Sequence, residues 1–331
     1  MYTMISESSV IIRLIWVDDL LICSDNKNEM NKFKKLLCDR FKMKDIGKLE
    51  WFLGIKFEYE NNCIKMSQAD FIERLLIKFS MQISVPRTLP CDVNINKFDN
   101  EDSKLLENPK LYREIVGSLI YLMTCSRPDI SYVVSKLSQY MNKPTEAHLK
   151  IARNVLKYLK GSIDNKLCYR KSNEGLKLIG YCDSDWGGSE DRKSISGYCY
   201  KLCVDGALIS WKTMKQNVVS LSSCEAEYTA LSFAIKEGLY LSQLFSDLYS
   251  GEKSRFDLFV DNQGAINLAN NPVYHQRSKH ISIKYHFIRD EIRQGNVKLL
   301  YIQSKNNIAD IFTKAVPRPL LNSFNIFSLK L

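Results

Sequence analysis

The chain has 331 residues, 45% of them apolar and 25% charged, a balance that suits a folded protein and excludes wholesale disorder. Lysine and arginine outnumber aspartate and glutamate by 47 to 37, and the formal charge of +10 favours a polyanionic partner. No apolar run reaches the roughly 18 residues that span a bilayer, and the first residues lack the charged start and cleavage site of a secretory signal, so an intracellular protein without a membrane segment is expected.

The first element is "RLIWVDDLLICSD", two apolar runs flanking paired carboxylates, which reads as a β-hairpin with Asp18 and Asp19 in its turn. Two like charges at an apolar tip suit either a solvated turn or a divalent cation. Met30, Phe33, Leu37 and Phe41 recur at helical spacing and predict a helix over about 28 to 41. "WFLGIKFEYENNCIKMSQ" then predicts strand, Asn61-Asn62 turn and strand, and "ADFIERLLIKFSM" a helix through Phe71, Leu75 and Phe79. From Val85 to Lys110 the chain is rich in Pro, Asn and Asp, the composition of a linker or long surface excursion. Three apolar helical stretches follow, "LYREIVGSLIYLMTC", "PDISYVVSKLSQYM" and "EAHLKIARNVLKYLKG", the last with Gly161 as its expected C-cap.

Beyond Gly175 the rhythm changes to three consecutive strands, a long helix from "LSSCEAEY", the strand "FDLFVD", two helical stretches, the strand "VKLLYIQ" and a final helix "NNIADIFTKA". The order βββαβαβα predicts a mixed α/β (α+β) fold whose sheet is covered by helices. The ten cysteines form no CxxC pair and have no histidines at zinc-ligand spacing, so they are expected to be reduced thiols. Acids stand at strand ends and helix starts in this region: Asp183, Glu225, Asp261 and Asp310. Carboxylates from such positions can converge at one edge of a sheet, where a pair of magnesium ions, with manganese as a substitute, would relieve their repulsion.

The ordered series "GYCDSDWGG", "SISGYCYKL", "SLSSCEAEYTAL", "LFVDNQGAINLANNP", "RSKHISIKYHFIRDEI" and "SKNNIADIFTKAV" closely resembles the ribonuclease H domain of copia-type (Ty1/copia) retrotransposon Pol polyproteins. Upstream, "WVDDLLICSDN", "FLGIKF" and "YREIVGSLIYLMTCSRPDISYVVSKLSQYM" resemble the C-terminal part and connection of the same family's reverse transcriptase. The resemblance implies a reverse transcriptase fragment over 1–84, with palm hairpin and thumb-like part. It implies a linker and helical connection over 85–161, a ribonuclease H-like domain over 162–317 and a C-terminal tail over 318–331.

It further implies that Asp183, Glu225, Asp261 and Asp310 hold two magnesium ions for hydrolysis of the RNA strand of an RNA–DNA hybrid, leaving a 3′-hydroxyl. Asp185, two residues along the same extended strand, is the rival for the first position. Glu225 and Glu227 are two apart on one helix and diverge; Glu225 stands in the family's first-Glu position, leaving Glu227 for solvent or a basic neighbour. Many ribonucleases H carry a histidine in the loop before the last acid, and "IQSKNNIAD" has none, which bears on turnover. Arg277, Lys279, His280 and Lys284 in the basic stretch are expected to touch nucleic-acid phosphates. Trp211, Lys212 and Lys215 suit the sugars and phosphates of a hybrid, with Trp211 equally suited to the core. Asp18 and Asp19 match the paired aspartates of the polymerase palm. Polymerisation also needs a third aspartate, and only Glu7 precedes them, so this chain alone is expected not to polymerise DNA, and the missing reverse transcriptase portion of Pol is a candidate partner.

Overall fold

The structure is a computed structural model and describes residues 2–6, 9–60, 62–93, 95, 103–171, 175–189, 191–203, 206–249, 255–270, 279–324 and 326–327. Three sheets and their helices follow one another. The first sheet is antiparallel, β1 (Tyr2–Ser6), β2 (Ser9–Trp16) and β3 (Asp19–Ser24) in the order β1-β2-β3. Trp16 pairs with Asp19, so the turn consists of Val17 and Asp18, Val17 taking a positive φ of 50°, and Asp19 already belongs to the strand. The expected turn is therefore shifted by one residue. Helix α1 (Lys27–Arg40) starts at Asn26, whose side chain accepts from the N–H groups of Asn28 and Glu29, and it buries no residue.

The second sheet has the order β4-β5-β6-β7, from β4 (Trp51–Phe52), β5 (Ile55–Glu60), β6 (Cys63–Ser67) and β7 (Leu167–Arg170). Asn62, in the β5–β6 turn, takes φ 60°, while Asn61 lies outside the described residues. The fourth strand comes from a hundred residues downstream and pairs antiparallel with β6, so the segment after residue 162 is bound into the N-terminal half.

Helices α2 (Ala69–Lys78), α3 (Lys110–Cys125), α4 (Ser131–Ser138) and α5 (Glu146–Gly161) share one core, with Tyr112, Val116, Leu119, Val155 and Leu156 fully buried. Inside it Arg127 and Asp129 form a salt bridge of 2.6 Å, Tyr158 donates to the same carboxylate at 2.6 Å, and Arg127 also donates to Ser162. Burying such a pair is tolerable because every polar group in it is satisfied. Gly161 is the last helical residue rather than a left-handed cap. Its lack of a side chain admits the Arg87 carbonyl, which a Cβ would meet at 2.9 Å.

The third sheet has the order β10-β9-β8-β11-β12, built from β8 (Ile179–Asp185), β9 (Ile195–Lys201), β10 (Leu208–Lys215), β11 (Phe256–Val260) and β12 (Val297–Tyr301). The first three strands form an antiparallel meander, and β8, β11 and β12 run parallel. The 27-residue helix α6 (Ser223–Tyr249) covers one face, and α7 (Gln263–Asn270) and α8 (Lys279–Arg293) pack beside it. On the other face lie α9 (Asp310–Thr313), α10 (Arg318–Ser323) and the connection helices. With helices on both sides, β9 is buried at all seven positions, and Gly197 leaves room for Phe312 and Thr313 to press on it.

The final helix is one turn long, shorter than expected. The buried Asn307 accounts for this: its side chain donates to Cys182 O at 3.0 Å and accepts from Ala309 N at 3.1 Å, using the amide that a longer helix would need in its backbone ladder. All ten cysteines are free, with Cys63, Cys91, Cys168, Cys182 and Cys199 buried.

Candidate metal centre

Parallel pairing of β8 with β11 sets Phe259 opposite Tyr181, with their rings stacked 5.2 Å apart on one face. Two residues further along each strand, on that same face, stand Asp261 and Asp183. Asp310 opens α9 directly above them. Oxygens of Asp183, Asp261 and Asp310 lie within 4.8 Å of one another, and among the described residues this is the one such group. Asp183 and Asp310 are buried and Asp261 half-buried.

Of the two glutamates at the start of α6, Glu227 is the one buried toward Asp183 and Asp261. Glu227 is 6% exposed; its Oε1 accepts from Ser184 N at 3.3 Å, and its Oε2 is buried without a hydrogen-bond partner. Burial pushes its carboxyl well above the usual range, with Asp183 and Asp261 adding to the effect. Glu225 stays half-buried at the start of α6, where its Oε2 accepts from Leu221 N at 2.8 Å and closes the helix end. The periodicity explains the choice. Glu227 heads the stripe Leu231, Ala234, Gly238 and Leu241, which is the buried face of α6, so it is carried to the sheet, and Glu225 two residues earlier is turned away.

Electrostatically the cluster is under stress. Burial and then Asp310 push Asp183 up to about 7, and burial raises Asp310 as well. Two groups relieve it. Thr313 donates its hydroxyl to Asp183, and Lys314 lies 3.0 Å from Asp310. Burial works against the Lys314 charge, but Asp183, Asp310 and Asp261 together hold its ammonium above the ordinary value. Asp185 stands apart from the three grouped aspartates. It is half-buried, raised by burial and partly compensated by Lys314 and Lys136, and it packs over Gly188.

The expected nucleic-acid contacts divide. Trp211 Nε1 donates to Met123 O at 2.7 Å and its ring joins the core between the sheet and the connection, so it is a packing residue. Lys215 is paired with Asp191 at 3.0 Å and with Gln139 at 3.2 Å, whereas Lys212 is exposed. Lys284 is half-buried and donates to Thr229 at 3.2 Å, and burial lowers its ammonium pKa. Arg277 lies outside the described residues, as do the side chains of Lys279 and His280 at the start of α8. Asp18 and Asp19 are exposed at the hairpin tip and belong to no group of three acids among the described residues.

Sequence reasoning weighed Glu227 but set it aside, and it did not single out Lys314 or Thr313. The stripe on α6 was the available signal for Glu227. Lys314 carried one too, since it stands four residues after Asp310.

A sheet of order 3-2-1-4-5 with carboxylates at the ends of its two central parallel strands defines a ribonuclease H-like domain, here joined to a reverse-transcriptase-type segment. Residues 1–93 match the family described as reverse transcriptase (RNA-dependent DNA polymerase). The chain is 36% identical over 327 residues to the retrovirus-related Pol polyprotein of transposon TNT 1-94 from Nicotiana tabacum, covering 95% of this chain and 24% of that protein. It is 32% identical over 226 residues to a transposon Ty5-1 protein of Saccharomyces cerevisiae, covering 67% of this chain and 72% of that one. A crystal structure of LC11-RNase H1 in complex with RNA/DNA hybrid is similar over 41% of this chain and 94% of its own, at 17% identity and a TM-score of 0.32. The chain belongs to the copia-type retrotransposon Pol family. It spans about a quarter of the length of the TNT 1-94 polyprotein.

Proposed function

We propose that the C-terminal domain is a divalent-metal ribonuclease that hydrolyses the RNA strand of RNA–DNA hybrids, with Asp183, Glu227, Asp261 and Asp310 as metal ligands. The supporting observation is the convergence of three aspartates with a buried glutamate whose second oxygen has no hydrogen-bond partner among the described residues. All the donors are carboxylate oxygens, the set that suits magnesium or manganese and suits zinc poorly. When bound, a pair of such ions supplies an activated water and charge stabilisation for phosphodiester hydrolysis.

The remaining work falls to this chain's own side chains. Thr313 fixes the orientation of the Asp183 carboxylate, and Lys314 holds down the mutual repulsion of the acids. Exposed Lys212 and the charge of +10 favour a polyanionic substrate. The exposed Asp18 and Asp19 at the hairpin tip take no part in this reading, and any polymerase chemistry is left to the reverse transcriptase portion of Pol.

The test is a hybrid with end-labelled RNA incubated with the full chain. Magnesium is expected to produce RNA fragments ending in 3′-hydroxyls. Chelator, or the substitution Asp261→Asn, is expected to abolish them while salt-sensitive hybrid binding persists. Binding without cleavage by the unaltered chain would leave a nucleic-acid-binding relic and overturn the enzyme reading.

A further inference from the structure

One buried amide joins the strands and the helix turn next to the acid cluster. Gln216 follows β10, is 2% exposed, and its backbone N–H donates to Ser194 O at 2.8 Å. Its side-chain Nε2 donates to Ser196 Oγ and to Ala226 O, each at 2.9 Å, and lies 3.4 Å from Ser184 Oγ. Its Oε1 accepts from Ser220 Oγ at 2.9 Å, and the Ser220 carbonyl in turn accepts from Trp186 Nε1 at 2.9 Å.

The neighbours of these partners matter more than their number. Ser184 follows Asp183 on β8, and its N–H is the donor to Glu227 Oε1. Ser196 is the β9 residue paired with Ser184. Ala226 immediately precedes Glu227, and Ser220 begins the turn that leads into α6. One amide therefore ties two strands of the sheet to the first turn of the helix that carries the fourth acid. The position requires N–H donors and a carbonyl acceptor in one short planar group. Carboxylate and ammonium groups each lack one of these, and a hydroxyl has too few donors.

We propose that Gln216 is a positioning residue for the divalent-metal site: it sets the N-terminal turn of α6 against β8 and β9 so that Glu227 is aimed at Asp183 and Asp261. This rests on the metal-site reading above. Half-satisfied buried networks lose both geometry and stability, so the amide's removal should be felt at the ligand it aims.

The test measures binding of manganese alone to the full chain, by titration calorimetry and by the electron paramagnetic resonance signal of the free ion. Gln216→Met keeps the volume and removes the donors and acceptor. It is expected to weaken manganese binding by about tenfold or more. Gln216→Glu, which also adds a fifth carboxylate, should weaken it at least as much as Gln216→Met. Tyr158→Phe, in the connection core and bonded to none of the four acids, serves as the stability control and should lower the melting temperature with manganese binding unchanged. A folded Gln216→Met that binds manganese within about twofold of the unaltered chain overturns the proposal. Should Gln216→Met fail to fold, Ser220→Ala carries the test, since it removes only the donor to Oε1. A loss of about threefold supports the role, and an unchanged affinity overturns it. Failure of the unaltered chain to bind manganese at all is a different result, because it sinks the metal-site reading itself.

Discussion

Asp183 sits buried among like charges, and that environment has a consequence for stability. Burial and the neighbouring Asp310 place its folded-state value at about 7, against about 3.9 for an aspartate in the unfolded chain. Between those two values the folded protein holds a proton that the unfolded chain has released, so stability falls as pH rises through that window and stays low above it. Glu227 and Asp310 are shifted in the same direction by burial. A cation held by these carboxylates would take the place of the proton. The metal-free protein is therefore expected to melt several degrees lower at about pH 8 than at about pH 5.5, with magnesium raising the melting temperature more at the higher pH. Asp183→Asn should flatten the pH dependence. Thermal melts with chelator and with magnesium at the two pH values check this, and an equal magnesium increment at both would contradict it.

At the scale of elements, regular pieces were legible and their ends were not. The α6 helix, the meander of β8, β9 and β10, and the strand leading to Asp261 could be read from periodicity, because each buries one face and its apolar spacing records that burial. The convergence of Asp183, Asp261 and Asp310 was equally legible as a set of strand-end and helix-start acids. Within "SSCEAEY" the motif position favours Glu225, while the helical stripe carries Glu227 to the sheet. Phase along a helix decides which acid meets the sheet, and the stripe from Glu227 through Leu231 and Ala234 fixes that phase. Tertiary partners defeated the other expectations. Nothing local in "ISWKT" shows that Trp211 will reach the Met123 carbonyl, and nothing in "NNIAD" shows that Asn307 will bond Cys182 and delay the start of the helix to Asp310. The phase argument has a direct test. Glu227→Gln should abolish magnesium-dependent cleavage, whereas Glu225→Gln should leave most of it and cost only a fraction of a kcal/mol of helix capping, roughly 0.5 to 1. Cleavage rates and melts of the two variants side by side decide between the carboxylates.

Across the whole molecule, the ribonuclease-like sheet does not own both of its covers. One face is closed by α6, but the other is shared: Ile195 of β9 belongs to the core of the connection helices, Trp211 of β10 donates into α3, and Ser135 of α4 lies 3.5 Å from the Thr213 carbonyl. The first strand after the connection, β7, pairs with β6 in the N-terminal half, and Phe327 near the C-terminus accepts from Cys168 on that same strand. The helix that carries Asp310 therefore sits between its own sheet and the connection, with Ile311 and Lys314 meeting Tyr132 and Val133 around a small gap. Cutting the chain before residue 162 would expose this apolar face and leave β7 without a partner strand, which is an aggregation-prone edge. Residues 162–331 alone are expected to melt about 4 to 8 °C or more below the full chain, since losing about 2 kcal/mol or more of packing moves a domain of this size by that order. They should also bind a hydrophobic dye that the full chain does not. If the two melt together with equal dye binding, the shared face contributes nothing and the sheet stands on α6 alone.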